Sequence, residues 1–197
     1  YDPTLLYEDH LRLPPVWNPE GRLEFFLGTD DLGRDLLSRL IYGSRISIAI
    51  GLTVVMISML FGTFLGLFAG FFGGITDKVI MYFTNILMAL PSILLAIVVV
   101  AILGPGIRNA VIAVSIVAMP NFIRIVRATV LNEKEKEYVQ ASKSLGAGSF
   151  RTLFREVFPN CTAPIIVQAS LGFSDGILNV AALGFLGLGA QPPLPEW

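Results

Sequence analysis

Long stretches without charge constrain this chain more than anything else in it. Ile46 to Thr76 passes 31 residues without an Asp, Glu, Lys or Arg, and after Asp77-Lys78 the run from Val79 to Ile107 adds 29 more. Asn109 to Ile123 is a third apolar run, ended by Arg124 and Arg127, and Val157 to Pro195 carries Asp175 alone. About 20 apolar residues wound as a helix cross the roughly 30 Å of hydrocarbon in a bilayer. Four spans fit, at about 46–70, 79–103, 109–131 and 160–186. In hydrocarbon every backbone polar group needs an internal partner, and no segment alternates with period two as a barrel strand would. The expected fold is all-α, a polytopic transmembrane helical bundle.

Composition agrees. Of the 197 residues 54% are hydrophobic and 15% charged, whereas a soluble domain holds about 45–50% and about 25%. The surface as well as the core therefore meets something oily, and membrane lipid is the first partner implied. A disordered chain, a disulfide scaffold and a basic nucleic-acid binder are excluded, the last by 14 basic residues against 15 acidic. The chain opens Tyr1-Asp2-Pro3 and closes Pro195-Glu196-Trp197, with no signal-peptide pattern near its start. It reads as an internal piece of a longer protein.

Local chemistry marks the helix ends. Gly73-Gly74 and Asp77 break the first run, and Gly104-Pro105-Gly106 closes the second. Pro91 and Pro120 fall inside spans, and Pro159 opens the last one near its first turn. Arg124 to Glu156 holds seven Lys/Arg against four Glu, which places it in the cytoplasm by the positive-inside rule. Counting crossings puts the Asp77-Lys78 turn inside, and residues 1–45, Arg108 and the tail from Gln191 to Trp197 outside.

Four features stand out against that map. Gly62, Gly66, Gly70 and Gly74 recur every four residues and leave one helix face almost bare, either for ordinary close packing or for gating. Asp175 lies deep in the last span. It either lines a translocation path or bonds a neighbouring hydroxyl such as Ser170 or Ser174. Residues Glu137 to Gly148 read as a short helix stopped by Gly146, with small residues at Ala141 and Ser142. This is either a plain solvated loop or a low-relief face that docks in another protein's groove. In the acidic arm, Asp30, Asp31 and Asp35 interleave with Arg34 and Arg39, as internal ion pairs or as a docking patch.

The loop resembles the coupling motif of ABC-importer permeases, which runs Glu-Ala-Ala, three residues, Gly, then a spacer ending Leu-Pro. Here Gln140-Ala141-Ser142, Gly146 and Phe158-Pro159 stand at matching spacing, with Gln, Ser and Phe in place of Glu, Ala and Leu. Gly28-Thr29-Asp30-Asp31-Leu32-Gly33-Arg34-Asp35 and Leu37-Ser38-Arg39-Leu40 are similar to the signature ahead of the second span in C-type permeases of dipeptide, oligopeptide and nickel importers. Leu90-Pro91-Ser92, Leu103-Gly104-Pro105-Gly106 and Ala182 through Pro193, with Pro195-Glu196-Trp197, extend the likeness over nearly the whole chain, most of all to the dipeptide branch.

The resemblance implies the type I importer permease fold (MetI-like), with an extracytoplasmic arm at 1–45, a transmembrane domain at 46–197 and a cytoplasmic coupling loop at 132–158. It implies a subunit that passes dipeptides or short peptides through the bacterial cytoplasmic membrane. A homologous second permease, cytoplasmic ATPase subunits and a periplasmic peptide-binding protein are the implied partners. Glu137, Gln140, Ala141, Ser142, Gly146 and Pro159 would be the coupling residues.

The chain has no Gly-x-x-x-x-Gly-Lys-[Ser/Thr] loop, so ATP belongs to the partner subunits and no cofactor or metal is expected on this one. No catalytic residues are expected, because neither a Ser/His pair nor two aspartates stand within the spans. Nickel, longer-peptide or antimicrobial-peptide cargo is the near alternative. An ATP-independent secondary transporter or channel is the far one, and it would want more intramembrane titratable groups than Asp175.

Overall fold

The computed structural model describes residues 2–189, so the Gln191–Trp197 tail and the end of the Ala182–Pro193 motif lie outside the described residues. Among those residues the regular structure is helical, apart from a single bridge between Thr29 and Asp35. The helices are α1 (Leu36–Phe72), α2 (Gly74–Met88), α3 (Ser92–Leu103), α4 (Ile107–Glu133), α5 (Glu137–Ser144), α6 (Ser149–Arg151), α7 (Phe158–Asn160) and α8 (Thr162–Phe185). Three of them, α1, α4 and α8, are long and apolar enough to cross a membrane, and a fourth crossing arises if α2 and α3 are one bent span.

Helix α1 begins ten residues before the border that charge alone suggested at 45. Asp35 caps it, accepting from the Ser38 amide at 3.0 Å and from the Ser38 hydroxyl. A charge-free run marks where lipid can begin; the cap marks where the helix does. At 1.5 Å per residue the 37 residues of α1 reach about 55 Å, well past the hydrocarbon.

The expected span at 79–103 is not one continuous helix. Two helices form there, bent by 95° across Ala89, Leu90 and Pro91. Pro91 cannot donate into a continuing helix and disfavours the helical region for Leu90, so the chain restarts at Ser92. The outer loop closes neatly, with the Asn109 side-chain amide donating to the carbonyls of Leu103 at 2.9 Å and Gly104 at 3.0 Å. Pro159 also sits differently: it lies in α7, upstream of α8, whose first turn holds Pro164 instead.

Packing fixes the directions. A Cβ built on Gly62 would stand 2.5 Å from Phe122 Cβ, one on Gly66 2.8 Å from the Ile123 carbonyl, and one on Gly70 2.9 Å from the Arg127 carbonyl. Residue numbers rise together, so α1 and α4 run parallel, and α2 with α3 makes the return. Gly74 is not part of that seam. It is the first residue of α2, with φ +55° and open space around it, and together with Gly73 at φ +64° it makes the bend from α1. Against α8 the numbers run oppositely: Gly51 faces Ile177 and Phe173, and Gly172 faces Val55. The α1–α8 contact is therefore antiparallel, built on glycines outside the four-residue stripe.

Two apolar layers result. The outer one joins Ile50, Val54, Val100, Ala113, Val114 and Leu183; the inner one joins Leu67, Val126, Val130, Val139, Leu153 and Ile165. Arg127 grips Asp77 with both carboxylate oxygens, Nη2 to Oδ2 at 2.7 Å. The α1–α2 turn thus lies at the same end as the basic segment that follows α4.

Candidate coupling helix and polar cleft

At the inner end α4 stops at Glu133 and the chain turns into α5. Val139 is wholly buried against the inner layer, while Glu137, Gln140 and Ala141 stay exposed and Ser142 is half-buried. One apolar anchor thus holds an otherwise polar helix flat on the bundle. The helix ends in a Schellman turn, with Gly146 N donating to Lys143 O at 2.9 Å and Ala147 N to Ser142 O at 3.1 Å. Gly146 supplies the left-handed residue that this turn requires, at φ +83°. Around it Leu145 is 89% exposed and Phe150 63%, and the Phe150 ring stands edge-on to Phe72 at the end of α1, 6.1 Å between centroids.

A polar bracket ties α5 to both neighbours. Tyr138 donates to Glu133 at the end of α4, and Asn160 of α7 donates to the Tyr138 hydroxyl at 3.1 Å and to the Glu156 carbonyl at 2.7 Å. Ser142 donates to Glu156 Oε1, and Gln140 Nε2 reaches the Lys134 carbonyl at 3.2 Å. Burial, then donation to Glu133, pushes the Tyr138 hydroxyl up to about 12. Glu156 lies in a π-helical turn, Thr152–Val157, between α6 and α7, and its Oε2 is buried without a hydrogen bond, as is Thr152 Oγ1. Such π turns are rare and recur at functional sites. Helix α5 is thus fastened to α4 through Glu133 and to the segment that precedes α8 through Glu156 and Asn160. Of the residues singled out from sequence, Glu137 through Gly146 share one short helix and its cap, and Pro159 lies in the arm of the bracket.

Asp175 lies elsewhere, about midway along α8. Its carboxylate is exposed and takes no hydrogen bond among the described residues; Ser170, one of the suggested partners, donates to Ile166 O instead. Asp175 lines an open cleft of about 620 Å³ with Asn121 and Arg124 of α4 and Gln168 of α8. A deeper hollow of about 240 Å³ continues from it past Asn179 to Ser92, beside the α2–α3 bend. Polar and ionised side chains on a span face water or a partner, not lipid. Asn121, Arg124, Gln168 and Asn179 were not singled out from the sequence. A signal existed: 168, 175 and 179 are spaced seven and four apart, and 121 and 124 three apart, which sets each group on one helix face.

The bundle, the docked α5 and its glycine turn are the setting for the family match. The family described as "Binding-protein-dependent transport system inner membrane component" matches residues 62–197. This chain belongs to that family. It is 55% identical over all 197 residues to the di/tripeptide transport system permease protein DppC of Pseudomonas aeruginosa, covering 65% of that protein. It is equally 55% identical over 197 residues to the dipeptide transport system permease protein DppC of Escherichia coli, covering 66% of it. The glutathione transport system permease protein GsiD of Pectobacterium atrosepticum is 46% identical over 172 residues, 87% of this chain and 57% of that protein. The chain spans about two thirds or less of the length of each of these relatives. As a member of this family it is an inner-membrane, multi-pass transport component, in keeping with its apolar helices.

Proposed function

We propose that the full-length protein is the permease subunit of an ATP-binding cassette importer that carries dipeptides or short peptides across the bacterial cytoplasmic membrane. The observation that carries this reading is α5: a short helix with an exposed Gln140-Ala141 face, pinned by Val139 and bracketed to α4 through Glu133 and to the segment before α8 through Glu156 and Asn160. Such a helix converts a push from a cytoplasmic partner into a tilt of two spans. Similarity over all 197 residues of this chain to dipeptide and di/tripeptide permeases supports the cargo.

In this reading separate ATPase subunits bind the nucleotide and grip Glu137 to Gly148, and this chain carries no cofactor of its own. A homologous second permease completes the pore, and a periplasmic peptide-binding protein delivers substrate to the outer end. Closure of the ATPase pair on ATP draws the coupling helices together. The bistable element is the interface between the two permeases, whose equilibrium nucleotide biases. Gln140, Ala141 and Ser142 form the docking face, Gly146 its turn, and Pro159 the rigid link toward α8. The polar cleft, with Asp175, lies on the translocation path. Gly62, Gly66 and Gly70 hold the α1–α4 pair rigid while it tilts.

Affinity isolation of the full-length protein from native membranes tests this, first as wild type and then as Gly146→Trp. An ATP-binding subunit that comes with the wild type and is lost from the variant is the expected result. Absence of any ATPase from both would overturn the importer reading in favour of an ATP-independent transporter. Parallel uptake of a dipeptide, a pentapeptide and nickel separates the cargo alternatives.

A further inference from the structure

We infer that the polar cleft is a recognition site for both charged ends of a zwitterionic peptide, with Asp175 receiving the ammonium and Arg124 the carboxylate. The inference rests on the transport reading above and specifies the ligand of that path. Asp175 and Arg124 line the same cleft, and neither side chain has a hydrogen bond or an ion pair among the described residues, including with each other. Elsewhere in the bundle Asp77 holds Arg127 and Glu133 holds Lys136, whereas Asp175 and Arg124 are both exposed along the cleft and open to opposite charges brought by a ligand.

Phe122 and Gly172 meet at one level, the ring 3.6 Å from a Cβ built on the glycine. Arg124 is two residues inward of Phe122 on α4, and Asp175 three residues outward of Gly172 on α8. At 1.5 Å per residue their Cα atoms are staggered by about 7–8 Å along the bundle, so the two ends of a ligand are met at different depths. The amides of Asn121 and Gln168 line the same cleft, each with a donor and an acceptor for a peptide bond. Asn179 donates its own amide hydrogen to the Asp175 carbonyl at 2.7 Å, which fixes that stretch of α8.

The test is peptide binding to the full-length protein assembled with its partner subunits, in lipid nanodiscs, without nucleotide and without the binding protein, so that selectivity belongs to the permease. The probes are Ala-Ala, N-acetyl-Ala-Ala and Ala-Ala-amide. Ala-Ala should bind at least tenfold more tightly than either blocked peptide. Asp175→Asn should erase its advantage over the acetylated peptide and keep its advantage over the amide, and Arg124→Gln should do the reverse. Equal binding of all three peptides to the wild type overturns the inference and needs no variant to show it. So does a loss of both preferences in each variant, which would mark a structural effect, and so does an absence of binding. ATP-driven uptake of Ala-Ala in cells is scored separately: uptake without end-group selectivity removes this site alone, whereas no uptake removes the transport reading.

Discussion

Asp30 at the outer end and Glu133 at the inner end are both screened carboxylates, and they organise opposite kinds of surface. Asp30 accepts from the amides of Leu32 and Arg34 at 2.9 Å each and from Arg34 Nε at 2.7 Å, with Arg39 at 3.8 Å. Asp35 caps α1 and Asp31 pairs with Arg12. The arm's charges are thus spent within the arm, and the internal-pairing alternative describes them. Around Glu133 the bonds run outward in sequence, to Lys136, Tyr138 and through it to Asn160, and what they hold up is a face left open by Leu145 and Phe150. The Asp30 cluster closes on its own arm, whereas the Glu133 network braces a separate helix, α5.

The largest effect should come from the seam the two ends share. In Gly66→Val the new Cβ would stand 2.8 Å from both the Ile123 carbonyl and Val126 Cβ, with backbone on one side that cannot swing away. Overpacking of this kind costs about 1–3 kcal/mol or more. The unfolding midpoint of the purified protein should fall, and protease should reach the arm and the α5 loop together. Cleavage confined to the loop would show that the two ends are not joined through α1 and α4.

A smaller and strictly inner effect is expected from Val139→Ala. Removing two buried methyl groups costs about 2 kcal/mol when the cavity they leave is included. Amide exchange over Glu137–Ser144 should quicken by roughly 30-fold while the arm keeps its protection. If the arm loosened as well, the inner layer would be more than a local anchor.

What the sequence could show follows from the same contrast. Charge-free runs located α4 and α8 to within about two residues, because exclusion of charge from lipid is a property of each residue alone. The stripe at Gly62, Gly66 and Gly70 was legible for the same reason, since small-residue spacing is one-dimensional. The break at Ala89–Pro91 was hidden because a proline within an apolar run reads equally as a kink or a stop, and neighbours decide which. The start of α1 at Leu36 depended on the Asp35 cap, which charge counting overlooks. At the sites, α5 was visible through its glycine and small residues. Val139, Tyr138 and Glu156, which fasten it, were not, because their partners come from α4, α7 and the π turn. The cleft needed two helices side by side before Asn121 and Arg124 met Gln168 and Asp175.

Asp30→Asn should be milder and confined to the outer end. The side chain is largely screened from water and paired with two arginines, so loss of its charge should cost about 1 kcal/mol and leave Tyr138 and α5 undisturbed. Protease should cut residues in the arm several-fold faster, with the α5 loop unchanged. Equal acceleration at the loop would remove the distinction between the two ends.

The same two ends should separate by the sign of their pH response. Burial alone would raise the Asp30 carboxyl, but the hydrogen bonds from Arg34 and Leu32 and the charge of Arg34 outweigh it and hold the group below its ordinary 3.8. Its contribution is complete above that value and disappears as the pH falls through the lower, folded value. Tyr138 is displaced the other way, from 10.0 to about 12. The folded state keeps its proton more tightly than the unfolded chain does, so its contribution is complete below pH 10 and is lost between there and about 12. Amide exchange followed from pH 3 to 12, corrected for the intrinsic rate, should therefore show the arm opening first in acid and the α5 region first in alkali. Tyr138→Phe should flatten the alkaline limb without touching the acid one, because it removes the titrating hydroxyl and leaves the ring in place. An alkaline limb that survived in Tyr138→Phe would mean that the bracket around Glu133 is held by something other than this hydroxyl.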